Sequence, residues 1–257
     1  MQPSLLWKII CGIGVLLLFV GALAFAFQIY ADFSAYTDIA RAVARMLGFE
    51  LIENFRAPYS AISPSDFWRR WHISFSSWIR DYLYIPLGGS RVKTSLGFLA
   101  VLLASLGLSG LWHGAAWNFV LWGIYHALLV FGYHRLGLGG RWTPKGRASA
   151  FASWTVMFTF TLFGWLLFRM PSLDWLTTAL SGTRPGWSGE ELVAGVYTLS
   201  LVLAYALPLL LLGWIQRMER PMEGLRPLVQ GAFYGAAIVA MIVLAHDGDV
   251  DFIYFLF

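Results

Sequence analysis

One histidine, His113, stands where keeping it is costly unless it is used. His113 lies in GLSGLWHGAAWNF, at the junction of two apolar runs, and His72 lies in SPSDFWRRWHISFSSWIRDYLYIPLGGSR, a segment dense in Arg and Trp. An imidazole beside hydrocarbon is unfavourable, so an ionisable group held there marks a candidate functional site with a partner to be found. Its ordinary pKa of about 6.5 lets it take and return a proton near neutrality, so proton transfer is the chemistry on offer. Ser109-Gly110 before His113 and Gly114 after it predict a helix break and a close approach by another group. On residue types alone, a ring hydrogen-bonded inside a helix bundle is an equal reading of His113.

Around His72, Trp68, Phe75 and Trp78 or Ile79 recur at helical spacing as far as Tyr82, with Arg69, Arg70, Ser76, Ser77 and Arg80 on other faces. Ser63-Pro64-Ser65-Asp66 resembles a capping box with proline at the first helical position, so the helix is predicted to begin there. Pro86-Leu87-Gly88-Gly89 is predicted to end it in a tight reversal. Spacing favours the bland account: an amphipathic helix at the membrane interface, its arginines paired with lipid phosphates or with Asp66 and Asp81.

Asn118, Trp122 and His126 follow at intervals of four, a stripe better suited to gluing helices together than to chemistry. His134 and His246 fall at the ends of apolar runs, where water reaches them. The five histidines form no H-x-x-H or H-x-x-x-H pair, so a membrane di-iron oxygenase or a zinc protease is disfavoured and no metal is expected. The single cysteine, Cys11, rules out an internal disulfide or a thiolate cluster. Neither a G-x-S-x-G elbow nor a phosphate-cradling glycine loop is present.

The elements that must position these residues are membrane helices. With 58% hydrophobic and 12% charged residues and a mean hydropathy of +0.65, the chain departs from the roughly 25% charged of a soluble domain. Six apolar runs are predicted to span: Leu5 to Tyr30, Val92 to Leu111, Ala115 to Leu136, Ala150 to Met170, Leu192 to Ile215 and Leu228 to Ala245. Arg135, Arg141, Lys145 and Arg147 after the third, and Arg217, Arg220 and Arg226 after the fifth, predict cytoplasmic connections. That places the segment with Arg69, Arg70, Arg80, Arg91 and Lys93 on the cytoplasmic side. His113, the stretch after Met170 and the tail with Asp247, Asp249 and Asp251 then face outward. Asp32 to Leu47 is too polar to face lipid, and reads as a helix buried among others or a re-entrant segment. With no repeat, linker or basic stripe, the expectation is one all-α polytopic membrane domain over residues 1–257, with amphipathic or re-entrant helices around a buried histidine and no nucleic-acid partner.

D-F-S-A-Y-T-D at Asp32 to Asp38, E-N-F-R-A-P-Y at Glu53 to Tyr59, Phe67 to Arg91, G-L-W-H-G-A-A-W-N-F at Gly110 to Phe119, and the ending D-F-I-Y-F-L-F together resemble the membrane-bound O-acyltransferase family. The likeness is to its bacterial branch of polysaccharide O-acetyltransferases. Members of that family are longer, so the sequence corresponds to their C-terminal part. The resemblance implies that His113 is the active-site general base and His72 a second required histidine. Trp68, Arg69, Arg70, Trp112, Trp117 and Asn118 would then shape the substrate cavity or orient donor and acceptor. It further implies a donor thioester such as acetyl-CoA, with no bound cofactor. The acetyl group would pass to an extracytoplasmic partner protein and an alginate-like polysaccharide, from a multi-pass protein of the bacterial inner membrane surrounded by lipids. Peptidoglycan O-acetylation and D-alanyl transfer to teichoic acid are alternatives within the family. A non-catalytic transporter or scaffold using a broken helix at Gly110 to Gly114, or an inactive fragment, are alternatives outside it.

Overall fold

A computed structural model describes residues 5–140, 142–170, 172 and 174. The fifth and sixth expected spans, the basic cluster at Arg217 to Arg226, His246 and the acidic tail lie outside the described residues. Among the described residues every regular element is helical: α1 (Leu5–Met46), α2 (Pro64–Trp68), α3 (Ile73–Ile79), a π-helical turn (Arg80–Tyr84), α4 (Ser95–His113), α5 (Trp117–Arg135) and α6 (Arg147–Arg169). Three stretches are long and apolar enough to cross a membrane: Phe19–Met46, Ser95–His113 and Arg147–Arg169. The protein is an all-α, multi-pass membrane protein.

The helix α1 corrects one expectation. Asp32 to Leu47 is neither a separate buried helix nor a re-entrant turn, because α1 runs unbroken through it for 42 residues. At 1.5 Å per residue that is about 63 Å, roughly twice the hydrocarbon thickness. The polar second half therefore extends an apolar first half, and Tyr36, Ile39, Val43 and Met46 stay exposed along it.

The helices α4, α5 and α6 form an up-and-down meander. The pair α4 and α5 is antiparallel end to end: Arg135 Nη1 donates to Ser95 Oγ at 3.0 Å at one end, and Gly110 lies against Phe119 at the other. A Cβ on Gly110 would sit 2.1 Å from the Phe119 carbonyl oxygen, and one on Gly123 would sit 2.3 Å from the Leu106 carbonyl oxygen. Backbones meet there because glycine lets them, the usual device where lipid supplies no hydrophobic drive between helices. Both halves of the expectation at these glycines are met: Gly110 serves the close approach, and the helix breaks after His113 at Gly114. The helix α5, the third expected span, is 19 residues long like α4 but is not among the stretches apolar enough to cross, and it spends polar side chains on α6. Asn118 Nδ2 donates to the Phe168 carbonyl at 2.9 Å and Tyr125 Oη donates to that of Phe160 at 2.8 Å.

Between α1 and this meander lies an inner layer, residues 54–84. Phe55, Tyr59, Phe67 and Trp71 are buried with Phe25 and Trp165. Trp71 sits 4.9 Å from Phe55 and 4.8 Å from Trp165 between ring centroids. Such pairs add about 0.5–1.5 kcal/mol each beyond area burial. Tyr59 Oη donates to the Ala26 carbonyl, and Trp154 Nε1 donates to the Tyr59 carbonyl at 2.8 Å, so one residue ties α1 to α6.

The predicted start of α2 is observed: Ser63 Oγ accepts from the Asp66 amide at 3.2 Å, with Pro64 in the first turn. The predicted single helix to Tyr82 is not observed. It stops at Trp68 and resumes at Ile73, and His72 between them takes a left-handed conformation, φ 44° and ψ 56°. That conformation costs a non-glycine residue roughly 1–2 kcal/mol. It is imposed by the neighbouring chain, where Arg56 N donates to the Arg70 carbonyl and Ile73 N to the Asn54 carbonyl, each at 3.0 Å. The glycine reversal is as expected, with Gly88 at φ 108° and Gly89 at φ 55°.

Candidate functional site

The segment from Phe75 to Tyr84 runs back along α4. Phe75 lies 4.5 Å from the Trp112 ring at one end, and Tyr84 packs on the Phe98 and Leu102 cluster at the other. This segment lies lengthwise against α4 and lines with it a half-open cavity of about 580 Å³, and the expected pairs of Arg70 with Asp66 and Arg80 with Asp81 are present. Leu102, Ser105, Leu106 and Ser109 supply the α4 wall; Phe75, Ser76 and Arg80 face them, with Trp68 and Arg69 alongside.

Ser105, Ser109 and His113 follow at intervals of four, so they share one face of α4. The two hydroxyls are buried, and neither has a hydrogen-bond partner among the described residues. A helical serine or threonine commonly bonds back to the carbonyl four residues earlier, as Ser153, Thr155, Thr159 and Thr161 do in α6. A buried hydroxyl without a partner costs about 1–3 kcal/mol, so Ser105 and Ser109 are donors and acceptors held in reserve beside a cavity.

His113 ends α4 one turn beyond Ser109. Its half-buried ring is surrounded by Trp112 at 5.0 Å, Phe168 at 5.1 Å, Trp122 at 5.3 Å, Phe75 at 6.0 Å and Phe119 at 6.2 Å between centroids. The chain then leaves through Gly114, where a Cβ would fall 2.6 Å from the Phe119 ring; glycine is what lets Phe119 pack under the histidine. Phe75 touches both histidines, with its ring 5.1 Å from that of His72 and nearly stacked on it. His72 is also met edge-on by Phe33 at 4.7 Å. Burial, then the nearby His113, lowers the His72 pKa to about 4, so its ring is neutral at physiological pH and a weaker base than a free imidazole.

The other sequence-picked residues divide. Trp68 and Arg69 line the cavity, and Arg69 Nη1 donates to the Gly140 carbonyl at 2.9 Å. Arg70 instead braces the layer: its Nε donates to Asp66 Oδ1 at 2.8 Å and its Nη1 to the Arg56 carbonyl at 3.3 Å. Trp112 flanks His113 while remaining 60% exposed, Trp117 at the start of α5 is 75% exposed, and Asn118 is committed to α6. Arg80 is held by both oxygens of Asp81 at 2.7 and 3.0 Å. His126 is buried against Phe67, Trp68 and Trp122. His134 is exposed, as its place at a helix end predicts. Sequence reasoning missed Ser105, Asn54 and Ser74. The four-residue rhythm of Ser105, Ser109 and His113 was visible, but serine in an apolar run reads as packing. Among the described residues no three metal-ligating side chains come together.

The site thus brings together two histidines that share contact with Phe75, with a cavity lined by Ser105 and Ser109 one turn before His113. The model of the MBOAT, membrane-bound O-acyltransferase, family matches residues 1–163, and the chain belongs to that family. It is 37% identical to the "Probable alginate O-acetylase AlgI" of Azotobacter vinelandii over 80% of this chain and 41% of that protein. It is also 37% identical to the peptidoglycan O-acetyltransferase of Helicobacter pylori over 63% of this chain and 30% of that protein. A teichoic acid D-alanyltransferase of Bacillus subtilis is 28% identical over 56% of this chain and 39% of that protein. The chain thus spans about two fifths of the length of the alginate O-acetylases it matches.

Proposed function

We propose that this chain carries the catalytic centre of an O-acetyltransferase that moves an acetyl group from a cytoplasmic thioester, such as acetyl-CoA, toward an exported alginate-like polysaccharide. One observation carries the reading: the α4 face bearing Ser105 and Ser109 along the cavity leads, one turn on, to His113. The acceptor hydroxyl oxygen attacks the thioester carbonyl as His113 takes its proton. The C–S bond then breaks and the proton returns to the departing thiolate. No covalent enzyme intermediate is needed. The two serine hydroxyls offer hydrogen bonds to the amide-bearing arm of the donor, and the aromatic rings around His113 exclude water from the thioester.

The acceptor side rests on the relatives' names, which favour a polysaccharide; an extracytoplasmic partner and a place in the bacterial inner membrane are what the family resemblance implies. Peptidoglycan is the second acceptor, favoured by the Helicobacter pylori relative at equal identity. The transporter or scaffold alternative, which uses the helix break at Gly110 to Gly114 as a binding site, predicts no dependence on His113. Mass spectrometry of ester groups on the host polymer, with and without the full-length gene, tests the reaction and names the acceptor. Acetyl esters that persist undiminished without the gene would end the proposal.

The cavity makes a separate prediction. Ser109→Leu places bulk next to His113 and lowers transfer about a hundredfold through misplacement of the donor, while Ser109→Ala changes it only a few-fold. Initial rates against donor concentration in membranes check this, and equal rates for both variants would remove the cavity from the reaction path.

A further inference from the structure

Asn54 and Ser74 together meet His72 Nδ1 in a cluster of four contacts that fixes which ring nitrogen carries the proton. The Ser74 amide donates to Asn54 Oδ1 at 3.0 Å, and a backbone N–H can only donate, so the side-chain oxygen rather than the NH₂ faces this cluster. The Ser74 hydroxyl spends its one proton on the same oxygen at 2.8 Å. His72 Nδ1 lies 3.3 Å from Asn54 Oδ1 and 3.4 Å from Ser74 Oγ. Both neighbours then present lone pairs to Nδ1. A bare Nδ1 would set lone pair against lone pair, whereas an Nδ1–H satisfies the contact.

We propose that Asn54, oriented by Ser74, is a positioning residue that locks His72 in its Nδ1–H tautomer and leaves Nε2 as the ring's proton-accepting atom. The lock extends to the backbone. The Asn54 carbonyl accepts from the Ile73 amide at 3.0 Å, so the same residue grips His72 from the chain side, where the left-handed conformation must be held. The catalytic consequence rests on the acyltransferase reading above; the tautomer itself does not. In that reading His113 is the base and His72 assists it through Nε2; a ring with the wrong nitrogen protonated presents a donor where an acceptor is needed, even in the correct place.

The test is ¹⁵N NMR of histidine-labelled full-length protein in nanodiscs, with the His72 signals assigned by their loss in His72→Gln. The expected result is a protonated Nδ1 and an unprotonated Nε2, retained in Asn54→Asp and lost in Asn54→Leu. Protonated Nε2 in the unaltered protein, or an unchanged tautomer in Asn54→Leu, would overturn the proposal. This readout needs no turnover, so a protein that fails to transfer acetyl groups refutes the function and leaves the tautomer standing or falling by itself. In active membranes, Asn54→Leu lowers kcat about tenfold to a hundredfold with KM little changed. Asn54→Asp restores most of kcat, and its carboxylate favours the imidazolium, so the acidic limb of the pH profile moves to higher pH. An Asn54→Asp limb that stays in place would also count against the assignment.

Discussion

His113→Ala, made in the full-length protein, lowers acetyl transfer by about a thousandfold, within the range of 10² to 10⁴ that a positioned base contributes. The loss falls on kcat. The cavity wall at Ser105 and Ser109 is untouched, and those hydroxyls sit one and two turns before the altered residue. The fold survives because His113 is the last residue of α4, is only half-buried, and gives way to a better helix former. The rings of Trp112, Trp122 and Phe168 around it keep other contacts: Trp122 still meets Trp68 and His126, and Phe168 still meets Trp165. Ester content per polymer, normalised to protein in the membrane, is the measurement. A variant present at normal level with unchanged ester content removes His113 from the chemistry.

Gly110→Ala has the largest effect on folding. Its Cβ would fall 2.1 Å from the Phe119 carbonyl oxygen and 3.0 Å from its carbon, both backbone atoms at the start of α5, so no side chain can swing aside. The two helices must separate, and in lipid no hydrophobic force draws them back. Overpacking of this kind costs about 1–3 kcal/mol or more, a large part of a protein's net stability. Gly123→Ala, at 2.3 Å from the Leu106 carbonyl oxygen, behaves alike. Gly107→Ala is the control: it lies in the same helix with nothing within 4 Å of the added carbon, and it gains up to about 1 kcal/mol of helix propensity. Thermal unfolding in detergent should separate them, with Gly110→Ala and Gly123→Ala unstable and Gly107→Ala at or above the unaltered protein. Equal stability of all three would mean that α4 and α5 do not meet as described.

What could be read from residues alone was what local chemistry dictates. Apolar length gave α4, α5 and α6 within a few residues, and Ser63-Pro64 gave the start of α2, because caps and hydropathy act over a single turn. The gaps and errors were tertiary. The glycines around His113 marked both a break and a close approach, but sequence does not say which glycine does which: Phe119 fills the space at Gly110, and the helix ends at Gly114. The helix predicted from Ser63 to Tyr82 broke at His72 because Asn54 and Arg56, remote in sequence, take the backbone bonds that a continuous helix would have used. His113 stood out as a singular residue and His72 through the family resemblance, but the two serines that link His113 to a cavity resemble ordinary packing until their hydroxyls are seen to have no partner among the described residues.

The most direct measurement is a structure of the full-length protein with a non-transferable thioether analogue of the acyl donor. The account predicts that the analogue's chain passes Ser105 and Ser109, and that room for an attacking hydroxyl, about 3–3.5 Å from the acyl carbon, lies against the His113 ring. An analogue seated elsewhere, with its acyl carbon remote from His113 and the α4 cavity empty, would contradict it.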